Sequence, residues 1–153
     1  SVQEINNDSD KPSINIPQVG LYNPTAEETS NDTSLKDSLD GIDYLVGVNN
    51  VLGDEALFSE ILVMFYQDHH VDGDKLKVAL QKKDIVSAKH VSHTLKGVAS
   101  SVGAMRLFEK TKAFDLAINE KRADEYEQLF SGVSLELTQV MQSIAANLDV
   151  SSN

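Results

Sequence analysis

Apolar residues fall into helical spacing from Leu39 onward and follow no period before it. Asp43 is placed to cap a short helix through Tyr44, Leu45, Val48 and Leu52, with Gly53 as its stop. Asp54 caps a second, with Glu55 adding negative charge to the first turn and Leu57, Phe58, Ile61, Leu62 and Phe65 on one face. "DHHVDG" breaks that helix near residue 70, and a third carries Leu76, Ala79 and Leu80 to about Lys83. Asp84 caps a fourth helix, which stops near Gly103. A fifth runs from Ala104 through Leu107, Phe108, Thr111, Phe114 and Ile118 to about Asn119. The last and longest starts near Ala123 and aligns Tyr126, Leu129, Phe130, Val133, Leu137, Val140, Met141, Ile144 and Leu148. No stretch alternates with period two, so no strand is predicted. Short connections favour antiparallel neighbours. The predicted fold is all-α, an up-down antiparallel four-helix bundle over residues 38–150 with a short additional N-terminal helix.

Residues 1–37 read as a flexible linker. They mix Asn, Asp, Ser and Thr with all three prolines, and their scattered apolar residues cannot bury enough surface to offset ordering entropy. A linker, together with a first residue that is Ser1 and not methionine, leads us to expect a piece of a longer protein with something folded upstream. The net charge of −11 argues against a nucleic-acid partner, which would need a basic face. The longest apolar run, Ile61 to Tyr66, is too short to cross a bilayer, and no basic-then-apolar leader opens the chain. We therefore expect a cytoplasmic domain without membrane contact, monomeric as a fragment, in a parent protein that an inner membrane could anchor. The chain has no cysteine, so neither disulfides nor thiolate metal sites are available.

The stretch "HVSHTLKGVASSVGA", residues 90–104, poses the functional question. On a helical wheel Ile85, Ala88, Ser92, Leu95, Ala99 and Val102 gather within roughly 100° of arc, the core stripe, with Val91 and Val98 at its border. His93 points about 130° from the stripe's centre, and Lys89, Lys96, Gly97 and Ser100 lie within about 60° of it. His90 falls near the same open face. Glycine inside a helix costs about 1 kcal/mol relative to alanine. Gly97 faces outward, where no neighbouring helix would need the space. A partner, or a bulky group carried on the imidazole, would need it. A nucleophilic ring nitrogen, a cation one turn on and cleared surface together describe a phosphoryl acceptor. Neutral imidazole is well populated near neutral pH, and phosphoryl transfer is chiefly positioning and charge neutralisation, so no second general base is required in cis.

"HTLKG" with "VASSVGA" directly after it resembles the signature of histidine-containing phosphotransfer (HPt) domains. "GIDYLVGVNNVLGDEALFSEILVMFYQDH" is similar to the entry of those domains, and the resemblance extends from about Leu39 to Leu148. It implies a four-helix bundle with His93 phosphorylated on a central helix and Lys96 and Gly97 as its neighbours. It further implies a phosphorelay: a receiver-domain aspartate donates, and the aspartate of a response regulator accepts. Lys89, His90 and Ser100 are then the residues expected to meet those partners. The partner receiver domains would supply Mg²⁺, and no cofactor is expected on this chain. The linker resembles the connection from a receiver to the C-terminal HPt module of a bacterial hybrid sensor histidine kinase. No ATP-binding glycine motif is present, so the kinase reaction itself is not expected here. Two other readings are a free-standing phosphorelay protein and a helical adaptor that is not phosphorylated; the adaptor would have no use for Lys96 and Gly97 beside an exposed histidine.

Other residues receive plainer readings. Adjacent histidines on a helix point about 100° apart, and histidine near a helix C-terminus is favoured by the dipole, so no metal site is expected at His69-His70 with Asp68 and Asp72. Lys82-Lys83, Lys110 and Lys112 read as solvated faces, Phe108 and Phe114 as core, and "LDVSSN" as a frayed end.

Overall fold

Three aspartates begin helices where the spacing predicts them. The computed structural model describes residues 35–151. Helix α1 spans Tyr44–Asn49, α2 Glu55–His69, α3 Asp72–Gln81, α4 Ile85–Ser101, α5 Met105–Asn119 and α6 Tyr126–Asn147, with a 3-10 turn at Ala123–Glu125. The carboxylates of Asp43, Asp54 and Asp84 accept from the backbone N–H groups of Val46, Leu57 and Ser87 at 3.2, 3.0 and 3.1 Å. Each satisfies an N–H that a helix start leaves without an intrahelical partner. At Asp84 the Ser87 hydroxyl also donates, at 2.7 Å. Hydrogen bonds from the Ser87 side chain and then its backbone hold the Asp84 carboxyl below the usual carboxylate range. That cap is therefore complete above the ordinary carboxylate range and lost as pH falls through the lowered value.

The chain divides into two units, Ser1–Asp37 and Ser38–Asn153, and every helix named above belongs to the second. The linker expected over residues 1–37 lies outside the described residues except for its last three, which with Ser38 form a helical turn. No strand occurs among the described residues. Helix α4 packs on α5, α5 on α6 and α3 on α4, while α6 closes the ring against both α2 and α3. With only His70 and Val71 between them, α2 and α3 together take one position of the four-helix bundle, and α4, α5 and α6 take the others. Leu62, Leu76, Leu95, Leu107, Phe114, Val133 and Ile144 are completely buried inside the ring. Burial of such side chains stabilises by about 1.5–3 kcal/mol each. No helix among the described residues is long and apolar enough to cross a membrane.

Several local expectations change. Leu52 does not continue the apolar face of α1: it is 98% exposed and takes a left-handed backbone (φ 59). Asn49 ends that helix, and the reversal into α2 uses two consecutive left-handed residues, Leu52 and Gly53. Lys83 likewise lies past the end of α3, left-handed at φ 56. Phe108 is half-buried, because Leu107 beside it takes the core position, and the Lys112 ammonium sits 5.9 Å from the Phe108 ring. At the C-terminus the chain leaves α6 at Leu148 in extended backbone, and the Gln67 amide donates to the Ser151 carbonyl at 3.3 Å. Residues 152–153 of the expected frayed end lie outside the described residues.

Helix α1 closes the end of the bundle where α4 turns into α5. The Asp43 N–H donates to the Gly103 carbonyl at 2.7 Å. A Cβ on Gly103 would lie 2.5 Å from the Asp43 carbonyl oxygen, and its φ of +81° already favours glycine. The second glycine of "HTLKGVASSVGA" is thus required by close backbone approach within the domain.

Candidate functional site

The core stripe of α4 is buried as its periodicity predicts: Ala88, Ser92, Leu95, Ala99 and Val102 have no exposed surface, and Ile85 is half-buried. His93 is consequently exposed. Lys89, His90 and Gly97 are exposed on the same helix, while Lys96 and Ser100 are half-buried. Among the described residues, a Cβ on Gly97 would meet nothing within 4 Å. No described residue approaches closely enough to require a glycine there, in contrast to Gly103.

Lys96 departs from the expectation of a free, exposed cation. Its ammonium lies 2.9 Å from Oδ2 of Asp115 on α5, and its side chain is only 26% exposed. Asp115 is 4% exposed, and its Oδ1 accepts from the Ser92 hydroxyl at 3.2 Å. The Ser92 hydroxyl also sits 3.2 Å from the Lys89 carbonyl. A buried carboxylate is tolerated only with a cation and hydrogen-bond donors about it, and Lys96 and Ser92 supply both. Sequence reasoning missed Asp115. A signal for it exists, because Asp115 sits in the apolar stripe of α5, four residues after Thr111 and three before Ile118, both buried. A carboxylate in such a stripe requires a partner.

The arrangement is thus an exposed imidazole, an ammonium one turn further along and anchored from the neighbouring helix, and open ground beside both. His90 lies at the edge of a groove between α3 and α4 that Val78, Ala79, Val86 and Val91 help to line. Val78 is 45% exposed and Val86 81%. The other two histidines have separate partners. His69 Nδ1 is 2.8 Å from Oδ2 of the buried Asp72, whereas His70 stacks on Tyr66 with ring centroids 4.7 Å apart. Among the described residues, no group of three or more His, Asp or Glu side chains is placed to hold a metal ion.

The sequence model of the Hpt domain family matches residues 60–147, more than half of the chain and inclusive of His93, Lys96, Gly97 and Asp115. The fold is similar to the HPT domain of a hybrid histidine kinase from Shewanella, with a TM-score of 0.67 at 18% identity over 75% of this chain and 99% of that one. It is also similar to a rice histidine-containing phosphotransfer protein, with a TM-score of 0.64 at 20% identity over 82% of this chain and 94% of that one. No curated protein gives a significant match. On the strength of the family match, the chain belongs to the Hpt family, the histidine phosphotransfer domains of phosphorelays.

Proposed function

We propose that His93 accepts a phosphoryl group from the aspartyl phosphate of a receiver domain of a hybrid kinase and yields it to the aspartate of a response regulator. The observation that carries this reading is an exposed imidazole on a helix whose next turn holds a glycine with empty space where its Cβ would stand. In the accepting step the lone pair of the unprotonated ring nitrogen forms the N–P bond. The P–O bond to the donor aspartate breaks, and that carboxylate leaves with the electron pair. The other ring nitrogen keeps its hydrogen and releases it to water when the phosphoimidazolium deprotonates. The metal ion, Mg²⁺, belongs to the receiver side, where the acyl phosphate is bound. Lys96 supplies positive charge beside the incoming group, and Lys89, His90 and Ser100 border the surface that a receiver covers.

Incubated with a phosphorylated receiver domain and Mg²⁺, the chain is expected to gain one phosphoryl group that survives base and is lost in acid, as a phosphoramidate is. An acid-stable label would place the group on a hydroxyl and overturn the assignment. Gly97→Ala tests the open ground independently. The variant should gain up to about 1 kcal/mol of stability from helix propensity alone, since the new methyl meets none of the described residues. It should nevertheless slow transfer, because the methyl occupies space that the docked partner or the phosphoryl group needs. A variant both more stable and fully active would show that Gly97 has no part in transfer.

A further inference from the structure

We infer that Asp115 sets how readily His93 holds its phosphoryl group, by competing with that group for the Lys96 ammonium. The inference rests on the acceptor role proposed for His93. Among the described residues, Lys96 is the one cation paired with Asp115, at 2.9 Å, and the carboxylate is 4% exposed. His93 and Lys96 are three residues apart on one helix, where Cβ atoms are about 5–6 Å apart. The flexible stem of lysine lets its ammonium reach a substituent on the ring.

A phosphoryl group brings about two negative charges at neutral pH. Two anions then face one ammonium. Should the ammonium move wholly to the phosphoryl group, a buried carboxylate loses its cation, a costly state. Should it stay with Asp115, the phosphoryl group lacks part of its counter-charge. Either arrangement raises the free energy of phosphorylated His93 above that of a site with a neutral residue at position 115. The group is kept transferable, and onward passage is favoured over storage. Asp115 acts through Lys96 and is a positioning residue.

The test is the phosphoryl-transfer equilibrium between the chain and a phosphorylated receiver domain, measured for the unaltered chain, Asp115→Asn and Asp115→Glu. Asp115→Asn keeps an acceptor for Ser92 but removes the charge. It should shift the equilibrium toward phosphorylated His93 by about three- to tenfold, the scale of one partly screened charge nearby, and slow onward transfer correspondingly. Asp115→Glu, with the charge retained, should return the ratio to near its original value. A merely structural Asp115 would lower the melting temperature and both rates together with no change in the ratio, and that result overturns the inference. If Asp115→Asn does not fold, the unaltered chain decides. Phosphorylated with phosphoramidate, it should show a displaced ¹³C resonance for the Asp115 carboxyl, and an unmoved resonance overturns the inference. Absence of label on His93 from either donor overturns the functional reading and this inference with it. Label on His93 with an indifferent equilibrium overturns the inference alone.

Discussion

His93→Gln is expected to abolish phosphoryl acceptance while leaving the helical circular dichroism and the melting temperature unchanged. The imidazole is exposed and, among the described residues, makes no hydrogen bond or ion pair, so its replacement leaves no buried group without a partner. Glutamine is a good helix former, and a change of this kind on a solvated face alters stability by about 0.5 kcal/mol or less. Chemically the loss should be complete, because a carboxamide nitrogen has no lone pair available for attack at phosphorus. His90→Gln provides the matching control: it changes an exposed residue three positions earlier and should retain the label. Label that persists in His93→Gln and disappears in His90→Gln would move the acceptor to His90.

Lys96→Ala is expected to destabilise the domain by about 2 kcal/mol, with a fall in melting temperature of roughly 5–10 °C. Sequence reasoning alone leads to the opposite expectation, since an exposed lysine contributes little. The Lys96–Asp115 contact reverses it. Removing one partner of a buried ion pair costs about 3–5 kcal/mol because the other charge is left buried without a counter-charge. Here the cost falls below that range, because the lysine side chain is a quarter exposed and water can reach Asp115 in its absence. Combining Lys96→Ala with Asp115→Asn should recover most of the loss, as a neutral amide needs no cation. The coupling between the two changes, read from a double-mutant cycle of urea midpoints, checks the argument. Additive effects, or a Lys96→Ala variant as stable as the parent, would show that the pair contributes nothing in solution.

The stripe of Ala88, Ser92, Leu95, Ala99 and Val102 was legible because burial along a helix repeats with the helix's own geometry. The same geometry turns His93 and Gly97 outward without reference to any other part of the chain. The caps at Asp43, Asp54 and Asp84 were legible for a similar reason, as each bonds a backbone N–H three residues on. Leu52 misled because periodicity carries no information about where a short helix must stop to let the chain reverse. Phe108 misled because the arc of α5 that faces the core is narrower than its apolar residues suggest.

Local information in the chain thus places where the helices begin, which face of each is buried, and that one helix turns a histidine and a glycine away from the core. Helix packing settles what lies opposite those residues and their neighbour Lys96. Lys96 and Asp115 are 19 positions apart on different helices. Their meeting depends on the axial register of α4 against α5, which the packing of many side chains sets together and no spacing within either helix records. The two glycines of the motif divide in the same way. Gly97 has open space and Gly103 has the Asp43 carbonyl against it, a difference that arises because α1, more than fifty residues away in the chain, folds back onto the end of α4.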